Sequence, residues 1–294
     1  MNILEKIPEL ACPQCKADLH FDTSLNCNGC GKKYHINDGI AHVAGDETLD
    51  FAKEIAVQDR VAIEYEQKRY QPGHAGDYHN WWTDRMLSKV STKGRILDNG
   101  CGIGLLFDKI PTDRIVGLDL SIEMLRRAQK HSDQLVLGNS QYLPFKDSSF
   151  DLVFCRSLLH HLPEPEQAVK EMHRTLKPGG EVVIVDTNAS LLSTLPRKIA
   201  NKGEHFSEDH RNMTRKDLEK LFDPYFRIDH ISYFGYIAYP LLGFPDLVNI
   251  FRFVPFKPIA ASVLMGIDNL LSVTPLLRTQ SWAIMLKATA LDHS

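Results

Sequence analysis

The stretch Arg95-Ile-Leu-Asp-Asn-Gly-Cys-Gly-Ile-Gly104 decides how this 294-residue chain is read. Ile96 and Leu97 begin a short apolar strand that runs into Asp98, and glycines follow at 100, 102 and 104. A turn of small residues at the C-terminal edge of a buried strand lets backbone approach a ligand without interference from Cβ atoms. An apolar stretch after Gly104 is expected to be helical. Alone, such a turn serves equally as a tight strand-to-helix connection or as part of a dinucleotide fingerprint. Here the spacing is GxGxG with no later glycine at dinucleotide distance, which excludes a nicotinamide-dependent oxidoreductase.

The segments that follow supply context. Residues 114–119 read as a second strand ending in Asp119, fifteen positions after Gly104. A carboxylate there can accept from both hydroxyls of a ribose. A third element covers 135–145, and a fourth strand, 150–155, leads into Arg156-Ser-Leu-Leu-His-His-Leu162. Then come a helical stretch at 168–176, the turn Lys177-Pro-Gly-Gly180 and a strand at 181–186. Strands alternating with helical stretches predict a parallel sheet covered on both faces.

In this order the motifs resemble the class I S-adenosylmethionine-dependent methyltransferases, in the branch similar to quinone-biosynthesis and other small-molecule enzymes. The resemblance spans roughly residues 60–235. It implies an α/β fold with a doubly wound, Rossmann-like sheet of seven strands. Strand 226–234 would be sixth and 281–288 seventh, the last running antiparallel between the fifth and sixth. It also implies S-adenosylmethionine as cofactor. Gly100, Gly102 and Gly104 would lie against its methionine and ribose portion, with Cys101 packed beside it. Asp98 would hold the cationic end, Asp119 the ribose, and Leu120 would flank the adenine. Asn139 and Ser140 stand where the family often places an acidic side chain against the adenine amino group, which Asn139 could meet through its carbonyl oxygen. Arg156 and Ser157 fall where the family lines cofactor and acceptor.

Methyl transfer from a sulfonium is an in-line SN2 displacement for which the protein supplies binding, alignment and desolvation. A general base is needed only for a hydroxyl or weakly acidic acceptor. Of the thirteen histidines, His160 and His205 are the candidates. His160 follows the fourth strand, where a helix-capping or packing role is the alternative; His205 lies in the loop after the fifth.

Four cysteines form a set of their own. Cys12-Pro-Gln-Cys15 and Cys27-Asn-Gly-Cys30 are two CxxC knuckles, a spacing that lets four thiolates converge on one tetrahedral Zn²⁺. With four protein thiolates the site has no open position and is structural rather than catalytic. Two disulfides or a redox pair are the competing readings; the start of the chain shows no signal-peptide pattern, and a redox site needs one CxxC rather than two. Residues 1–46 therefore read as a zinc ribbon, with short strands around Leu19–Phe21 and at 33–36 and a turn at Asn37-Asp-Gly39. Cys101 and Cys155 read as small packing residues near the cofactor.

Composition is that of an ordinary globular protein, 43% apolar and 24% charged, with a formal net charge of −3. Residues 1–50 hold four Lys or Arg against eight Asp or Glu. That balance argues against nucleic acid as partner, because phosphate contacts need clustered cations. A base methyltransferase acting on rRNA or tRNA through the ribbon is the second reading, and a non-catalytic cofactor-binding scaffold the third. No uncharged apolar run reaches the ~18 residues of a spanning helix, so a cytoplasmic location is expected, with peripheral membrane contact left open.

Two further segments frame the core at 94–294. Residues 47–93 read as a helical linker and lid, with apolar positions at Phe51, Ile55, Val57, Val61 and Tyr65. A break at Gln71-Pro-Gly-His-Ala-Gly76 separates it from a second helix at 80–87, and Tyr65 and Tyr70 are candidates to fold over the cofactor. Residues 235–280 form an apolar insertion before the last strand, expected to carry two or three short helices. So apolar a segment must be covered by the core, a second copy of the chain, a lipid surface or an apolar acceptor. A small-molecule or lipid-like acceptor is the expected substrate.

Overall fold

Alternate residues along the central strands bury to opposite faces, and this builds a sheet with a core on each side. The computed structural model describes residues 2–45, 51–70, 73–194, 212–243 and 250–292. Among these, β5 (Ile96–Asn99), β6 (Ile115–Asp119), β7 (Leu135–Leu137), β8 (Phe150–Arg156) and β9 (Leu176–Thr187) pair in parallel. β10 (Phe226–Phe234) and β11 (Ala283–Ala290) complete the core in the order β7-β6-β5-β8-β9-β11-β10. β11 runs antiparallel between β9 and β10, as the sequence resemblance implied.

One face carries Leu97, Val116, Val153 and Ile184, packed with Ala168, Val169 and Met172 of α5 (Pro165–Thr175) and with Leu218 and Phe222 of α6 (Arg215–Phe222). The other carries Ile96, Ile115, Leu152 and Val185. Against it lie Tyr78, Trp82 and Met86 of α3 (His74–Leu87), Leu125 of α4 (Ile122–Ala128) and Ala261 of α7 (Lys257–Val273). Each fully buried aliphatic side chain here contributes ~1.5–3 kcal/mol relative to exposure.

The ribbon does not stand apart from this core. After the short helix α1 (Ile3–Lys6), its strands β1 (Leu19–Phe21), β2 (Leu25–Cys27), β3 (Lys33–Asn37) and β4 (Ile40–His42) form a meander. β4 then pairs in parallel with β7, so seven expected strands become a continuous sheet of eleven. The physical reason is the edge. β7 would otherwise present unpaired N–H and C=O groups, whereas Ile40 and Ala41 are wholly buried against it. The β3–β4 turn is the expected one, with Asp38 and Gly39 both at positive φ, the pairing that a tight hairpin requires. Ion pairs add to the docking: Arg95 with Glu9 at 2.8 Å and Lys16 with the buried Glu171 at 2.8 Å, which Arg174 also grips at 2.8 Å.

Three local expectations change. Residues 101–109 form successive tight turns instead of a helix, because Gly100, Gly102 and Gly104 all hold positive φ and the hydrogen bonds close over three residues. The second lid helix begins at His74, so Ala75 and Gly76 lie inside it. The insertion is dominated by one seventeen-residue helix, α7, with short turns at Tyr239–Gly243, Ile250–Phe253 and Arg278–Gln280. No helix among the described residues is long and apolar enough to cross a membrane.

Glu171→Ala removes the carboxylate shared by Lys16 and Arg174. Burial already pushes the Lys16 ammonium down, and its main partner would be gone. We expect a loss of about 2–4 kcal/mol, read as a lower denaturant midpoint; an unchanged midpoint would show that the ribbon docks without this pair.

Candidate active site

The glycine turn is fastened at two points. Gly100 and Cys101 donate their N–H groups to Leu118 O at 2.8 and 3.0 Å, drawing the turn onto the end of β6. Asp119, the last residue of β6, accepts from Gly102 N at 2.8 Å and Ser121 N at 2.9 Å, one bond to each carboxylate oxygen. Burial pushes the Asp119 carboxyl up, opposed by those N–H groups. Each oxygen keeps a lone pair for a ligand. The glycines divide the work. A Cβ on Gly104 would meet Phe107 at 2.5 Å and one on Gly100 would meet Leu158 at 3.2 Å, whereas one on Gly102 would meet nothing within 4 Å. Gly102 lines a cavity that a side chain there would enter.

This cavity, about 390 Å³, has two ends. Gly100, Cys101, Gly102, Asp119, Leu120, Asn139, Ser140, Arg156 and Ser157 line it, bringing together nine of the eleven candidate cofactor residues. Asp98 and Gly104 do not reach it. Asp98 lies buried at the end of β5 with its carboxyl pushed up to about 7 by burial; Arg156 pulls it down and Asp119 pushes it up. Gly104 serves the packing of Phe107. Asn139 departs from expectation in its chemistry. Its Oδ1 accepts from Gln141 N at 2.9 Å, while its buried Nδ2 has no partner among the described residues. The atom offered to a ligand is thus a donor, suited to a ring nitrogen of adenine more than to its amino group. An orphaned donor and a cradle left open by Gly102 both fit a bound adenosyl group.

Residues of the expected lid line this end. Phe51, Ile55, Val57, Val61 and Tyr65, the apolar positions of the sequence pattern, all line the cavity on or beside α2 (Ala52–Glu64). Asp59 of α2 accepts from the Ser121 hydroxyl, and Glu54 meets His161 at 2.9 Å. The Tyr70 side chain lies outside the described residues.

The other end is aromatic: Tyr78, Trp82, Phe234, Tyr239 and Trp282 form its wall. Sequence reading missed these because they come from four places far apart in the chain: α3, β10, the insertion and the residue before β11. The clustered aromatics of Tyr78-His-Asn-Trp-Trp82 were the available signal.

His160 and Asp186 also line the cavity. His160 is 5% and Asp186 2% exposed, and His160 Nδ1 lies 2.5 Å from Asp186 Oδ1. Burial pushes the Asp186 carboxyl up, but the His160 imidazole and the Thr187 N–H outweigh it and leave it below the usual carboxylate range. Nδ1–H donation to Asp186 fixes the tautomer in which Nε2 is the basic atom. Nearby Ser157 holds a positive φ of 52° while donating its N–H to Val185 O at 2.7 Å, a strained geometry of the kind that concentrates at functional sites. His205 and His210 lie outside the described residues.

None of the four clustered cysteines lines this cavity. The Sγ atoms of Cys12, Cys15, Cys27 and Cys30 lie within 4.8 Å of one another, with Cys12 and Cys30 3.7 Å apart. Tetrahedral Zn–S bonds of ~2.3 Å require sulfur separations of about 3.8 Å. Burial would raise the Cys27 thiol, but the N–H groups of Cys30 and Gly29 hold it at about 6. Cys101 and Cys155 are different: burial pushes both thiols well up, which suits packing and opposes nucleophilic chemistry.

Residues 97–184 match the methyltransferase domain family, with the strand order and glycine turn just described. The core carries a methyltransferase domain and has the fold of the class I S-adenosylmethionine-dependent methyltransferases. Over 125 residues the chain is 34% identical to a demethylmenaquinone methyltransferase of Lactiplantibacillus plantarum, covering 37% of this chain and 53% of that protein. It is 33% identical over 124 residues to an uncharacterized Methanocaldococcus jannaschii protein, covering 42% and 52%. The chain thus spans about half the length of the curated relatives it matches. Among solved structures, it is similar to one described as a complex between the Haloferax volcanii Trm112 methyltransferase activator and a methyltransferase. That likeness has TM-score 0.54 at 19% identity, over 82% of this chain and 98% of that one. A Haemonchus contortus phosphoethanolamine N-methyltransferase 2 bound to S-adenosyl-L-methionine aligns with TM-score 0.55 at 18% identity, over 83% and 60%. At these identities the structures attest the fold of the methyltransferase core.

Asp98 gives this chain a pH-dependent stability. Its carboxyl is raised from 3.8 to about 7, so the unfolded chain ionises first and stability falls as pH rises through that interval. Asp98→Asn removes this penalty. At about pH 8 the variant should be more stable than the parent by on the order of 2–4 kcal/mol, with the gap closing toward about pH 4. Denaturant midpoints at both pH values measure it, and a gap independent of pH would refute the assignment.

Proposed function

We propose that this chain transfers a methyl group from S-adenosylmethionine to a small apolar or lipid-like acceptor at a weakly acidic oxygen or carbon. The observation that carries the reading is one cavity with a nucleoside-fitting end, an aromatic end and the His160–Asp186 pair in its wall. The cofactor, when bound, supplies a methyl group activated on a cationic sulfonium. Asp119 takes the ribose hydroxyls with the lone pairs that the Gly102 and Ser121 N–H groups leave open. Asn139 Nδ2 donates to an adenine ring nitrogen, with Leu120 beside the base, and Ser140 and Arg156 bound the same end. Gly100, Cys101, Gly102 and Ser157 bring backbone close to the remainder.

His160 Nε2 removes the acceptor's proton as its oxygen or carbon takes the methyl group. Asp186 keeps the imidazole in register and stabilises the imidazolium that forms. The aromatic wall orients the acceptor and excludes water, which strengthens every charge interaction within. The demethylmenaquinone methyltransferases among its relatives support an apolar acceptor. Zn²⁺ on Cys12, Cys15, Cys27 and Cys30 is proposed as structural: its thiolates do not line the cavity, and their ribbon extends the edge of the sheet. Two of the four ribbon lysines, Lys6 and Lys16, are tied to Asp133 and Glu171 of the core, which disfavours the RNA reading.

Asp119→Ala should weaken S-adenosylhomocysteine binding about 100-fold or more, since two hydrogen bonds to a charged group are lost. Calorimetry reads it, and unchanged affinity would remove the ribose assignment. His160→Gln should lower kcat by about 10²–10⁴ while cofactor affinity holds within about threefold. The parent rate should climb with pH on the acid side as the imidazole becomes neutral, and the variant should lose that limb. A parent-like rate in His160→Gln would mean that the acceptor needs no base from this pair.

A further inference from the structure

Helix α7 is apolar on both sides. Its inner side, with Ala261, Leu264 and Met265, packs against the core. On a surface helix the opposite side should be polar. Instead Ile259, Val263, Ile267, Leu270 and Val273 recur there at helical spacing, all exposed, with Leu270 66% and Val273 69% accessible. The chain on either side continues the surface: Phe256 is 80% and Leu276 88% exposed. An unbroken apolar face of this kind marks an interaction site.

The surrounding charge selects the occupant. Among the described residues of 235–280 the exposed ionisable groups are all cationic, Arg252 and Lys257 before the helix body and Arg278 after it. The carboxylate among those described residues, Asp268, is buried and accepts the N–H groups of Tyr236, Ile237 and Ala238 at 2.9, 2.8 and 3.0 Å. A second copy docking antiparallel across this face would set Arg252 and Lys257 against the partner copy's equivalent of Arg278, cation to cation with no exposed carboxylate from the segment's described residues between them. A polyanionic apolar surface satisfies both the stripe and its cationic ends. We propose that the outer face of α7 docks the protein on an anionic lipid bilayer. Asp268 connects that face to the cavity, because the loop it holds runs directly into Tyr239 and Pro240 of the aromatic wall. This docking stands independently of the acceptor and of catalysis.

Co-sedimentation of the zinc-loaded full chain with phosphatidylcholine vesicles containing about a quarter phosphatidylglycerol tests it, without methyl donor or acceptor. We expect binding that weakens in about 0.5 M salt and on phosphatidylcholine alone. Val263→Asp with Leu270→Asp should reduce the partition coefficient about tenfold or more at an unchanged melting temperature, since both side chains are exposed. Lys257→Glu with Arg278→Glu should lower it on the anionic vesicles alone. Absence of binding, or equal binding by the Val263→Asp/Leu270→Asp variant, overturns the proposal. So does a parent dimer, by light scattering, that this variant converts to monomer, which would assign the face to a second copy.

Discussion

Two backbone N–H groups, from Gly102 and Ser121, converge on the Asp119 carboxylate, and the glycine-turn end of the cavity depends on that convergence. The interaction ties the loop after β5 to the loop after β6, which are separated in sequence and adjacent only because the two strands pair in parallel. It also explains the glycine. Any side chain at 102 would occupy the space that the bond creates, and the backbone there already lies at φ 53°. The same carboxylate pre-orients two dipoles and keeps acceptor capacity, so the ligand meets a site whose reorganisation cost was met on folding.

The core was legible because its signals are local. Strand, acid and glycine occur within ten residues at 95–104, and each later strand is a short apolar run bounded by turn residues. The sixth strand falls at Phe226–Phe234 as read. What failed also failed locally. A run such as Leu105-Leu-Phe107 has the composition of a helix, but three left-handed glycines and three-residue closures leave it as turns. The lid helix begins early because a glycine before His74 can start a helix as readily as a run of small residues can break one.

The union of ribbon and sheet was not legible, since it depends on an edge rather than on a motif. Nothing in Ile40-Ala-His42 announces a parallel partner nearly a hundred residues away. Once β7 is placed at the edge, its unpaired backbone asks for a strand, and the ribbon's last one supplies it. The consequence reaches the cavity. Ala11 N–H donates to Pro144 O at 2.8 Å and Lys16 Nζ to Leu143 O at 3.1 Å, gripping the far end of the loop that carries Asn139 and Ser140. Four thiolates that do not line the cavity therefore bear on the wall against which the adenine would rest.

The His160–Asp186 pair shows where sequence reading stops for a physical reason. His160 could be nominated for its place after β8, but nothing within twenty residues distinguishes it from His161, its neighbour. The distinction comes from β9, which sets Asp186 beside His160 at 2.5 Å and leaves His161 to Glu54 of the lid. One histidine is thus held by the rigid sheet and the other by the element that covers the cofactor end. Under the proposed reading a base must keep its position while ligands exchange, and the imidazole held by the sheet meets that demand.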